Sequence, residues 1–185
     1  SLTVESLRGI RDALGIERAA LAAACERPVL AWAKVAHASE ELVREVHARL
    51  ERGEHVPLPW TDTSGENLAP FDHQRTMASA ACLLPGVYFD AAPGTGKTRA
   101  ALEVIQARIA RGDVDVALVI CPRRVGREWA NQTPRWTPAL RCERLTSGAV
   151  KQRAERIRRA TRGTVLVLNV DVFAACEKAI DELTR

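Results

Sequence analysis

The residues best suited to chemistry stand at 90–99, Asp-Ala-Ala-Pro-Gly-Thr-Gly-Lys-Thr-Arg. Glycines at 94 and 96 permit the backbone angles that a tight cradle needs. Successive N–H groups from about Gly94 to Thr98 can then curl around a phosphate at the positive end of a following helix. Lys97 would reach the β- and γ-phosphates, and the Thr98 hydroxyl would ligate Mg²⁺. Measured against G-x-x-x-x-G-K-[ST], the one departure is Ala91 at the first glycine, where only a small side chain is required. The expected contact set is Pro93, Gly94, Thr95, Gly96, Lys97, Thr98 and Arg99, with Lys97 and Thr98 as the catalytic pair. The bland alternative is a glycine-rich turn that binds nothing.

Such a loop needs a strand before it and a helix after it. Val87-Tyr88-Phe89 predicts a strand over 86–90, and the apolar spacing after Lys97 predicts a helix over 97–111. A helix over 72–83 leads in. Downstream the pattern alternates. Strands are expected at 116–121, 141–145 and 164–170, and helices at 126–132, 150–161 and 171–183. Apolar strands alternating with helices imply an α/β fold with a parallel sheet covered on both faces.

Residues 1–52 read differently. Leu7, Ile10 and Leu14 form one helical stripe, Leu21 to Val35 suggest two short helices, and Leu42, Val43, Val46 and Leu50 form another. Ser39 fits as an N-cap, with Glu40 and Glu41 in the first turn. This predicts a small all-helical N-terminal domain with contacts to a protein partner. The pattern is similar to a helix-turn-helix DNA-binding domain. However, the spacing from Leu21 to Trp32 is short for that family and the second segment has few polar residues, which favours a plain accessory domain. Residues 53–69 are rich in Pro, Gly, Ser, Thr and Asp and mark the best domain boundary, a linker ahead of a lobe at 70–185.

The composition, 46% apolar and 27% charged, is that of a globular chain. No apolar run is long enough to span a bilayer and no leader pattern is present, so the expectation is a cytoplasmic protein, bacterial, phage or nucleoid-associated, without a membrane partner. The five cysteines and four histidines are scattered, which indicates neither a disulfide framework nor a zinc site. Charge is uneven. Residues 1–69 hold 8 Lys/Arg against 11 Asp/Glu, and 70–185 hold 19 against 12. The basic half carries the phosphate loop and suits a polyanionic partner.

Three further stretches narrow the class. Pro70-Phe71-Asp72-His73-Gln74 offers a carboxamide that can pair with an adenine edge. Cys121-Pro122-Arg123-Arg124-Val125-Gly126-Arg127-Glu128-Trp129 follows a strand, so Arg123, Arg124 and Arg127 fall where open α/β sheets bind ligands. Trp129 and Trp136 read as packing residues. Asn169, at the end of Thr164-Val165-Leu166-Val167-Leu168, can bond a phosphate or cap the next helix. The run 150–162 carries six Lys/Arg and reads mainly as a solvated helix face, with backbone phosphates as the other use.

In this order around the phosphate loop, the stretches resemble the first motor lobe of superfamily-2 helicases, nearest to Swi/Snf-type DNA translocases and their bacterial and phage relatives. The likeness covers about residues 68–176. It rests on Pro70 to Gln74, on Cys121, Pro122, Val125 and Trp129 at the family's spacing, and on Asn169-Val170-Asp171. It implies a RecA-like lobe that binds ATP and Mg²⁺ at the loop, with Gln74 on the adenine, and double-stranded DNA along Arg123, Arg124, Arg127 and Asn169. Arg124 departs from a usual serine, and Val170 from an aromatic. The family's Asp-Glu box lies one strand later, beyond residue 185, and Asp171 is a poor substitute for it. These 185 residues are therefore expected to bind nucleotide but turn over little. Two other readings stay open: a non-motor phosphate-loop protein (a kinase or switch), and a catalytically incomplete DNA-binding or interaction module.

Overall fold

A computed structural model describes residues 40–66 and 68–183. The helices and cap expected before residue 40 lie outside these residues, as does Cys25. The elements run α1 (Glu40–Glu51), α2 (Asp72–Leu83), α3 (Lys97–Arg111), β1 (Val116–Ile120), α4 (Gly126–Trp136), β2 (Arg141–Arg144), α5 (Val150–Arg158), β3 (Thr164–Leu168), α6 (Val170–Ala175) and α7 (Glu177–Leu183). The fold is mixed α/β, with an open parallel sheet of three described strands in the order β1-β3-β2.

β3 is central. Val116 to Ile120 pair with Thr164 to Leu168 on one side, and Arg141 to Arg144 pair with Thr164 to Val167 on the other. All five β3 residues are buried, which explains a continuous apolar run in place of alternation. Leu166 and Leu168 point to one face, where Leu145, Ile157, Val172, Cys176, Ala179 and Ile180 from β2's extension and α5–α7 pack. Val165 and Val167 point to the other, against Ile105 and Ile109 of α3 and Trp129 of α4.

One expected strand does not form. Residues 86–90 join no ladder, and Val87 and Tyr88 are exposed, Tyr88 at 81%. Their side-chain pattern suits a strand, but strands exist only as pairs. In the described order β1 is an edge whose only partner is β3. The final helix is also divided, with Cys176 as the C-cap of α6 before α7 begins. α4 runs four residues further than its pattern predicts, through Pro134 to a buried Trp136.

The stretch read as a linker is a strap packed across three helices. Leu58 and Trp60 join Ala78, Ala100 and Val104 in an apolar cluster between α2 and α3. The Val56 N–H donates to Ser79 Oγ (2.9 Å), and the Thr63 N–H donates to the Arg135 carbonyl (3.0 Å). Asp62 accepts from the Ser64 hydroxyl (2.6 Å), the Ser64 N–H (3.0 Å) and the Leu68 N–H (3.1 Å), which holds its carboxyl well below the usual carboxylate range. Turn-forming composition marked this stretch as loop, and its two large apolar side chains anchor it.

Candidate nucleotide and phosphate-binding site

The phosphate loop opens α3. Gly94 (φ 83°) and Gly96 (φ 81°) both adopt the left-handed region, where glycine is at ease. Gly96 is the N-cap of α3, so the first-turn N–H groups of Lys97, Thr98 and Arg99 have no intrahelical acceptor. Lys97 folds back over the loop. Its Nζ donates to the carbonyls of Ala91 (2.6 Å) and Ala92 (2.8 Å). Among the described residues no carboxylate lies within ion-pairing distance of it, so its charge is available to a phosphate. The Thr95 hydroxyl donates to the Ala92 carbonyl (2.9 Å) and tightens the turn.

α2 holds the loop from behind. Gln74 Nε2 donates to the Thr95 carbonyl (3.1 Å), and His73 Nε2 lies 2.9 Å from the same oxygen. The other end of Gln74 accepts the Phe71 N–H (3.2 Å). Gln74 is only 4% exposed. A Cβ on Gly96 would stand 2.1 Å from Gln74 Nε2, so only glycine allows the glutamine to lie across the loop. The sequence singled out Gln74 as a base reader; here its carboxamide braces the loop. His73, one of the scattered histidines, is a second brace.

Arg99, expected to contact nucleotide, turns its side chain the other way. Its guanidinium lies 4.2 Å from the Trp136 ring centroid and 5.6 Å from that of Trp60, and donates to the Leu68 carbonyl (2.7 Å). Only its backbone N–H remains directed with the loop. Beneath it Glu103 is fully buried, accepts the Trp60 N–H (3.3 Å), and has its carboxyl pushed up to about 7 by burial.

The second half of the site lies at the C-terminal ends of the strands. Arg123 and Arg124 occupy the turn after β1, which the Val125 N–H closes onto the Pro122 carbonyl (2.8 Å). Arg127 sits in the first turn of α4 and Arg144 ends β2. With Thr146 these four arginines line a cleft of about 590 Å³. Arg123 and Thr146 also line an adjoining pocket of about 190 Å³ with Arg153, Asn169, Asp171 and Val172. The Nε atoms of Arg144 and Arg153 are buried without a partner among the described residues. A buried donor without an acceptor is costly, and an anion in the cleft would satisfy it. Gly126 lets α4 begin against this wall, since a Cβ there would meet Val167 Cγ1 at 3.2 Å.

The structure thus brings Arg123, Arg124, Arg127 and Asn169 together and adds Arg144, Thr146 and Arg153. The expected strand 141–145 conceals Arg144 inside β2; with β2 ending at Arg144 it stands at a strand's C-terminal end, as Arg123 nearly does. Arg153 was hidden in a charge run whose other members are mostly paired: Arg156 with Glu143 (2.7 Å), Arg158 with Glu182 (2.6 Å), Arg159 with Glu155 (2.7 Å) and Arg162 with Asp115 (3.2 Å). Asn169 is partly committed. Its Oδ1 caps α6 through the Val172 N–H (3.3 Å), and its Nδ2 donates to Asp171 (2.9 Å).

The two halves both lie toward the C-terminal ends of the strands. α3 runs from the phosphate loop to Arg111, and only residues 112–115 return the chain to β1. α3 is therefore antiparallel to β1, and its N-terminus lies toward the ends of the strands that carry the arginines. Asp171 shares its pocket with Arg123 and Arg153, an environment hostile to Mg²⁺, and no group of three or more His, Cys, Asp or Glu among the described residues could hold a metal ion. No helix of the described residues is long and apolar enough to cross a membrane. No protein-family model matches the chain, and no curated protein matches it.

Proposed function

We propose that these residues form the nucleotide-binding part of a RecA-like first motor lobe of superfamily-2 helicase type, working on double-stranded DNA. The observation that carries the reading is the placement of two anion-suited features toward one end of the strands: a glycine-lysine-threonine loop at the N-terminus of α3, and a four-arginine cleft with Arg153 in the pocket adjoining it. The loop suits a triphosphate, with N–H donors and the Lys97 ammonium around it. The cleft suits a chain of backbone phosphates. Mg²⁺, when bound with the nucleotide, would neutralise phosphate charge, and Thr98 is the residue that would hold it. Asp171 shares its pocket with Arg123 and Arg153, a poor setting for the carboxylate such sites add, which favours a lobe that binds ATP but hydrolyses little alone.

The test has two arms. Titration of Mg-ATP into the chain should show binding that Lys97→Ala reduces by about tenfold or more. Charge reversal at Arg123 and Arg124 should weaken duplex DNA binding and leave ATP binding intact. Unchanged DNA affinity in that double variant, or brisk DNA-stimulated turnover by these 185 residues, would count against the proposal.

A further inference from the structure

We infer that the strap of residues 56–68 positions the phosphate loop through Arg99, so that triphosphate binding and seating of the strap are linked. The inference rests on the phosphate reading of the loop and adds the element that regulates its affinity. The first turn of α3 must be held in place for its N–H groups to face a phosphate. It lacks the usual support, since its N-cap is Gly96 and no side chain caps it. What anchors the turn is the side chain of Arg99, 5% exposed and next in the chain to Thr98. Its guanidinium lies 5.6 Å from the Trp60 ring centroid and 4.2 Å from that of Trp136, and it donates to the Leu68 carbonyl (2.7 Å). Trp60 and Leu68 both belong to the strap. Leu68 stands three residues before Phe71, the N-cap of α2, and α2 carries the Gln74 that braces Thr95. One side chain therefore joins the loop, the strap and the lead-in to the brace.

The joint is strained. Among the described residues Trp60 is the one non-glycine residue with a positive φ, 49°, a costly backbone for a large side chain. It is kept there by its N–H, which donates to Glu103 Oε2 (3.3 Å), and by the far end of the strap, where the Thr63 hydroxyl donates to the Pro134 carbonyl (3.2 Å). Against these contacts stand two unmet groups. Arg99 Nε and Glu103 Oε1 are both buried without a hydrogen-bond partner among the described residues. A joint that holds strain and unmet polar atoms is closed by a narrow margin, so a ligand that needs the turn in place shifts it. Such coupling is reciprocal: the factor by which a seated strap tightens phosphate binding is the factor by which phosphate favours seating.

The experiment is calorimetric titration of inorganic triphosphate with Mg²⁺ into the chain and into Trp60→Ala, Trp60→Phe and Ile180→Ala, at a temperature where each is folded. Ile180 packs in the core cluster with Leu166 and Leu168, away from the strap, and reports general destabilisation. Trp60→Ala should weaken triphosphate binding by about fivefold or more, although Trp60 touches no phosphate, Trp60→Phe should restore most of it, and Ile180→Ala should leave it unchanged. A second measurement needs no variant. Saturating triphosphate should slow amide hydrogen exchange at Trp60, Thr63 and Leu68 of the unaltered chain by about threefold or more. Affinity in Trp60→Ala within about twofold of the unaltered chain, an equal loss in Ile180→Ala, or strap amides unmoved while those of residues 94–98 become protected overturns the inference and upholds the loop. Failure of the unaltered chain to bind triphosphate removes the phosphate reading itself and this inference with it.

Discussion

The guanidinium of Arg99 lies 4.2 Å from the ring of Trp136, and the guanidinium of Arg135 lies 4.3 Å from the same ring. A residue adjoining the phosphate loop is thereby tied to the end of α4. Trp60 completes the sandwich from the strap, and Glu103 lies beneath it. Planar guanidinium stacking, more than charge, joins α3, α4 and residues 55–68.

Arg99→Lys should therefore not rescue Arg99→Ala. Both should lower stability by about 1–3 kcal/mol, since each removes the planar stack against Trp60 and Trp136. Thermal unfolding checks this. Recovery of wild-type stability with lysine would show that charge alone suffices.

Glu103 predicts a pH dependence. Its folded carboxyl titrates at about 7, above an ordinary value of 4.5. Between those values the folded chain holds a proton that the unfolded chain releases, so this group makes stability fall as pH rises through the window. The full effect is on the order of 3 kcal/mol, reached above pH 7. Denaturant unfolding from pH 4.5 to 8 should show the decline, and Glu103→Gln should flatten it.

The two loop glycines should differ. Gly94→Ala meets nothing within 4 Å and costs only the left-handed backbone, ~1 kcal/mol. Gly96→Ala adds a collision with Gln74 Nε2 and should displace the brace. Triphosphate affinity should drop by about tenfold or more in Gly96→Ala and much less in Gly94→Ala. Equal losses would mean that Gln74 does not brace the loop.

Arg153→Ala and Arg159→Ala remove the same charge from one helical run. Arg153 lines the pocket that adjoins the arginine cleft, while Arg159 pairs with Glu155 on the surface. Only Arg153→Ala should reduce the salt slope of duplex DNA binding by about one and weaken affinity severalfold. Matching losses in both would mean that the helix acts as a diffuse basic surface.

Much of this was legible in the residues. The helices of residues 72–83 and 97–111 follow from their apolar spacing and from Gly96 and Gly112, which cap α3 at either end with φ of 81° and 82°. The apolar run 164–168 announced a strand buried on both faces. Lys97, Gly94 and Gly96 are local chemistry, and local chemistry is written in order along a chain. Arg123, Arg124 and Arg127 were found because the end of a parallel strand is a known address.

Partnership was decided only in three dimensions. Residues 86–90 have a strand's side chains but join no ladder among the described residues, and pairing is a property of two segments. Gln74 is free in the sequence to reach a base; it becomes a brace because α2 packs so that its carboxamide meets Thr95, 21 residues away. Arg99 left the loop because two tryptophans, 39 residues before it and 37 after, converge on its far side. Arg144 entered the cleft, and Arg153 the pocket beside it, because β2 ends and α5 begins toward the same end of the sheet. A side chain's type is set by its codon, but whether a carboxamide or guanidinium is free for a ligand depends on which distant groups fill its hydrogen bonds first.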